Sequence, residues 1–103
     1  MKRVILDENL PVRLRDHLVE FEVVTVQYQG WAGILNGELI QLIDGNFDVF
    51  VTGDKHLRYQ QNLRNRTIAI IEVPSTDWRA ILELLDKLKM AISKSAAGGY
   101  IQI

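Results

Sequence analysis

The stretch VILDENLP, residues 4 to 11, decides the architecture. Val4, Ile5 and Leu6 form an apolar run without polar alternation, the pattern of a strand buried on both faces. Such strands belong to parallel sheets covered by helices. Asp7 and Glu8 end the run, and Asn9 and Pro11 supply a turn and a helix start. In an open α/β sheet, ligands sit just beyond the carboxyl ends of the strands. The two acids therefore fall where chemistry is expected.

The rest of the chain continues as strands alternating with helices, without internal repeats. Strand one runs from Arg3 to Leu6. Leu10, Leu14 and Leu18 then recur at helical spacing, predicting a helix that ends near Glu20. Phe21 to Val26 is short and β-branched, a second strand. Residues 27 to 35, with Gly30, Trp31 and Gly33, read as a loop; Trp31 is either a local core plug or a stacking surface. Asn36 suits a helix N-cap, followed by a helix from Gly37 to Ile43 whose Leu39, Ile40 and Ile43 share a face. Val49 to Val51 make a third strand, broken by Thr52, Gly53 and Asp54. A weakly patterned helix is expected from Lys55 to Asn65. Thr67 to Val73 is a fourth strand. Ser75, Thr76 or Asp77 caps a last helix, with Trp78, Ile81, Leu82, Leu85, Leu88 and Ile92 in one stripe. After a turn over 96–99, Tyr100 to Ile103 reads as a final edge strand. Strands alternating with helices predict a three-layer α/β/α sandwich, with a Rossmann-like, mainly parallel sheet of four to five strands.

Composition narrows the function. A chain of 103 residues predicts one domain, and 48% hydrophobic residues suffice for a core without staples. With no cysteine, thiol catalysis, cysteine-based zinc sites and disulfides are excluded, and a reducing, cytoplasmic setting is expected. The net charge of -1 gives no global basic field, so nucleic acid would have to meet a local patch. No apolar run approaches membrane-spanning length.

Asp7 and Asp54 each follow an apolar strand directly, so a parallel sheet would present both at one edge. The plain alternative is a pair of independent turn acids. Glu38 lies in the first turn of the helix after the loop. The helix dipole alone accounts for an acid there, but that end also faces the same sheet edge. Clustered carboxylates repel, and a hard divalent cation would relieve them; oxygen ligands without cysteine favour Mg²⁺ or Mn²⁺. His56 follows Asp54 by two residues, as a phosphate, proton-transfer or metal group or as a plain loop histidine. Lys55, Arg58, Arg64 and Arg66 occur without an intervening acid, among Tyr59 and several amides. This run suits a phosphodiester backbone, and equally a solvated helix face.

VILDENLP, EFEVVTVQYQGWAGILNGELIQLI and VFVTGDKHL, in this order, resemble the small PIN-like DUF5615 family, related to the Mut7-C and toxin-type PIN domains. The resemblance covers residues 3 to about 73. It implies a metal-dependent ribonuclease, with Asp7, Asp54 and Glu38 as catalytic and metal-holding acids. Lys55, His56, Arg58, Asn9 and Asn36 would line the RNA substrate. It also implies an antitoxin partner, as for a toxin component. The chain departs from the family pattern at Asn36 and Gly37, where acids are usual, at Gly53 in place of a basic residue, and at His56. These departures leave open a weak or inactive PIN-like binding module. A receiver-like phosphoacceptor is the other alternative, with Asp7 and Glu8 after strand one and Asp54 after strand three; it lacks a lysine after a fifth parallel strand. The apolar YIQI segment suits an edge strand pairing with a second copy, hence a homodimer, or the completion of its own sheet.

Overall fold

A computed structural model describes residues 1–59 and 65–103. Its centre is a five-stranded parallel sheet: β1 (Arg3–Leu6), β2 (Glu22–Thr25), β3 (Val49–Thr52), β4 (Ala69–Glu72) and β5 (Tyr100–Gln102). The order across the sheet is β2-β1-β3-β4-β5, with every neighbouring pair parallel. β1, β3 and β4 are central, which explains their near-continuous apolar runs.

Alternation along these strands feeds two cores. Val4, Leu6, Val49, Val51, Ala69 and Ile71 face one side, against Leu10, Leu14, Leu18, Ile81, Leu88 and Ile92. Ile5, Phe50 and Ile70 face the other, against Leu39, Ile40, Ile43 and Leu57. The first side is covered by the 3₁₀ helix Val12–His17, α2 (Trp78–Glu83) and α3 (Leu85–Lys94). The second is covered by α1 (Asn36–Ile43) and the 3₁₀ turn Leu57–Tyr59. The fold is therefore the expected α/β/α sandwich with a Rossmann-like parallel sheet. Among the described residues no helix is long and apolar enough to cross a membrane.

Local differences have identifiable causes. The helix expected from Leu10 to Glu20 is a shorter 3₁₀ segment that starts after Pro11, and it still buries Leu14. Leu10 and Leu18 are buried in the flanking turns, so the leucine spacing marks the core face rather than an α-helix. Asn36 is the first residue of α1 rather than its cap; Leu35 holds the cap position without a side-chain hydrogen bond. The last helix is two, α2 and α3, separated at Leu84, whose amide bonds to the carbonyls of Ile81 and Leu82. Asp77 caps α2 by accepting from the Ala80 amide at 3.2 Å. Trp31 is a core plug, half-buried and edge-on to Phe47 with ring centres 6.5 Å apart. Of the helix expected over 55–65, the described part is the single turn Leu57–Tyr59. Gln60, Gln61, Asn62 and Arg64, part of the basic and amide-rich run, lie outside the described residues.

Candidate active site at the β1–β3 edge

The chain passes from β1 outward to β2, then returns across β1 to β3. The crossovers on either side of the β1–β3 junction diverge there, which opens a crevice at the carboxyl ends of these two strands. Asp7 follows β1, and Asp54 follows β3 after one intervening residue. Both line an open cleft of about 480 Å³, together with Glu8, Asn9, Asn36, Gly53, Lys55 and His56.

Thr52 joins the two acids. Its Oγ1 donates to Asp7 Oδ2 at 2.7 Å and accepts from the Asp54 amide at 3.0 Å. Asp7 Oδ1 also accepts from the Glu8 amide at 2.8 Å. Asp54 is held from two sides: the Asn36 amide group donates to Oδ2, and the His56 amide donates to Oδ1 at 2.9 Å. Each carboxylate oxygen still has a lone pair for another partner. Asn9 Oδ1 accepts from the Gly53 amide at 3.3 Å, tying the β1 turn to the β3 turn. A Cβ at Gly53 would meet the Thr76 side-chain methyl at 2.6 Å, so any larger residue there requires Thr76 to shift.

Asp7 is only 6% exposed. Burial pushes its carboxyl above the ordinary carboxylate range. The hydrogen bonds from Thr52 and the Glu8 amide oppose this, and the charges of Glu8 and Asp54 reinforce it. Removing the Thr52 hydroxyl by Thr52→Val should leave a buried carboxylate oxygen without its donor. The expected result is a loss of roughly 1–3 kcal/mol in stability and a further rise in the Asp7 pKa, measured by urea denaturation and carboxyl NMR titration.

The other expected site residues are not all gathered here. Glu38 is exposed and does not line the cleft. The residue that reaches Asp54 from the start of α1 is Asn36. Among the described residues, no group of three His, Asp or Glu side chains is arranged to hold a metal ion. Arg58 stands outside the cleft on an exposed turn, with its guanidinium over the Tyr59 ring at 4.8 Å.

Glu72 is a residue that the sequence pattern did not single out. Register places it beside Thr52 on β4, on the same face as Asp7, and it is 6% exposed. It accepts from Tyr100 Oη at 2.9 Å and from Gln102 Nε2 at 3.1 Å. Burial, then the bond to Glu72, holds the Tyr100 phenol above its ordinary range. Because Glu72 is in register with Thr52, this network lies beside the Thr52–Asp7 hydrogen bond. Its signal in the sequence was an acid inside the apolar run TIAIIEV.

No protein-family model, curated protein or solved structure matches the chain.

Proposed function

We propose that the chain is a Mg²⁺- or Mn²⁺-dependent ribonuclease of the PIN-like type, with Asp7 and Asp54 as the pair that holds the cation. The observation that carries this reading is that Thr52 ties the Asp7 carboxylate to the Asp54 backbone, so that both aspartates line one cleft at the crevice of the sheet. The donor set fits the ion. Mg²⁺ is commonly held by one or two carboxylates plus waters and substrate phosphate, so two aspartates suffice without a third acid. Burial first, and then the charges of Glu8 and Asp54, hold the Asp7 carboxyl above its ordinary range, and a bound cation would offset both. Glu38 then needs no ligand role, because an exposed acid in the first turn of α1 is favoured by the helix dipole.

A divalent cation held here would activate a water and polarise the scissile phosphate. The chain's own part is positional. Thr52 and the Glu8 amide orient Asp7, while Asn36 and the His56 amide fix Asp54. Lys55, on the rim, supplies positive charge for the phosphodiester, and the exposed His56 side chain stands beside it. Asn9 and Asn36 offer amide groups to sugar or base. Arg58 would meet the RNA backbone further along its path. An antitoxin partner rests on the family resemblance alone.

The test is cleavage of a labelled RNA with Mn²⁺ by the parent and by Asp54→Asn. Cleavage that requires both Mn²⁺ and Asp54 supports the reading, and cleavage indifferent to either rejects it. In parallel, alanine at Lys55 and Arg58 should weaken RNA binding. It should also lower the salt slope by about 0.7–1 per lost phosphate contact. Binding that persists without cleavage would mark a PIN-like binding module.

One observation favours a second reading. β5 is a fifth parallel strand, and the order β2-β1-β3-β4-β5 is shared by receiver-like phosphoacceptor domains. In that reading Asp54 takes a phosphoryl group. The residues at the carboxyl end of β5 are Gln102 and Ile103, not the lysine such a site uses. Acetyl phosphate labelling that is lost with Asp54→Asn would establish this alternative.

A further inference from the structure

β5 pairs with β4 on one side, and among the described residues no strand lies on the other. The Ile70 amide bonds to the Gly99 carbonyl, and the Ile103 amide to the Glu72 carbonyl. Residues 99, 101 and 103 therefore direct their backbone groups toward β4. Tyr100 and Gln102 consequently direct theirs outward. The segment carries none of the charges, prolines or bulges that usually blunt an edge strand.

Beside this edge lies an open groove between β5 and α3, lined by Ala91, Ile101 and Ile103 together with Asp86, Lys87, Met90, Lys94 and Gln102. Met90 is 55% exposed. Asp86, Met90 and Lys94 follow one another at four-residue spacing, so they form a single stripe along α3. The described ion pairs are Arg3 with Glu22 and Lys89 with Glu20, and neither involves Asp86 or Lys94.

We propose that this face binds a second copy of the chain about a two-fold axis passing Met90 and Ile101. Three features require the same axis. Antiparallel pairing centred on Ile101 matches Tyr100 of one copy with Gln102 of the other, the two residues whose backbone groups point outward. Ile101 then meets its own counterpart in a non-hydrogen-bonded pair, where side chains approach most closely, on the side of the sheet that α3 covers. Antiparallel packing of α3 on its copy, centred on Met90, places Asp86 opposite Lys94 twice over. The patch is thus complementary to itself in hydrogen bonding and in the Asp86–Lys94 pairing, as an isologous interface must be. The two sheets join into one.

Sedimentation of the whole chain from about 1 μM to about 200 μM tests this. The parent should dimerise in that range. Asp86→Lys and Lys94→Asp should each weaken the dimer about tenfold or more, because each reversal creates like-charge contacts at two symmetric places. The double variant Asp86→Lys/Lys94→Asp should restore the parent's affinity to within about threefold. Met90→Asp should be monomeric. Circular dichroism identical to the parent's confirms that these exposed substitutions leave the fold intact. A parent that stays monomeric overturns the proposal. So does a dimer indifferent to the single reversals, or a double variant no better than either single one.

Discussion

Replacing Asp7 with asparagine is expected to raise the melting temperature in chelator and to abolish the further rise that Mn²⁺ produces in the parent. The first effect follows from burial and neighbouring charge, which lift the Asp7 carboxyl above the value it has in the unfolded chain. Between those two values the native state keeps a proton that the unfolded state has released. Stability of the parent therefore falls as pH rises through that window, and stays lower above it. Asparagine does not titrate there. The variant should match the parent at pH below the unfolded value and gain on it as pH rises. Its amide can still meet Thr52, whose hydroxyl is able to accept as well as donate. The second effect follows from the cation. At a hundredfold excess of Mn²⁺ over Kd the parent gains about 2.7 kcal/mol. At about 4 °C or more per kcal/mol for a chain of this size, that is a rise of roughly 10 °C. The variant should gain little and cleave no RNA. Thermal melts of both proteins, with and without Mn²⁺ and across pH 3 to 8, read every part of this. A variant that melts lower than the parent in chelator at neutral pH would mark Asp7 as a stabilising turn acid.

Phe50→Ala should produce the largest loss of stability. Phe50 is fully buried at the middle of β3. It lies in register with Ile5 on β1 and Ile70 on β4, within the core cluster that contains the buried face of α1. Truncating a buried phenylalanine removes its transfer free energy and leaves a cavity, about 3–5 kcal/mol in all. Whole domains have roughly 5–15 kcal/mol, so the variant should lose at least a fifth of its stability even at the favourable limit. The melting temperature should fall by about 12 °C or more. Urea denaturation is the measurement, and a change below about 1 kcal/mol would contradict the burial of Phe50 on β3 between β1 and β4.

These expectations show which parts of the chain were legible. β1, β3 and β4 are buried on both faces, and burial writes an unbroken apolar run that needs no context to read. Asp7 and Asp54 were legible for the same reason: an acid at the end of such a run, directly after β1 or one residue beyond β3, stands at the carboxyl edge whatever the order of the strands. Glu38 was ambiguous because position in a first helical turn does not fix direction; it is exposed, and the residue of that turn that lines the cleft is Asn36. Asn36 read as a cap because asparagine commonly caps, yet it reaches across to Asp54 over eighteen residues of sequence, a contact that no local rule contains. The break at Leu84 was hidden because α2 and α3 carry one continuous apolar stripe against the same core. Glu72 was hidden in the opposite way. The run TIAIIEV reads as a strand, and only cross-strand register reveals that its acid stands beside Thr52 and under Tyr100.

The most direct test of the cation site is paramagnetic broadening by Mn²⁺ in the amide NMR spectrum of the parent protein. A cation held by Asp7 and Asp54 should erase the signals of Glu8, Gly53, Asp54, Lys55 and His56 at substoichiometric Mn²⁺. The signals of Asn46, Ser95 and Gly98, at the opposite end of the sheet, should stay sharp, and Asp7→Asn should remove the selectivity. Uniform broadening in the parent, or broadening centred away from the β1–β3 edge, would contradict the account.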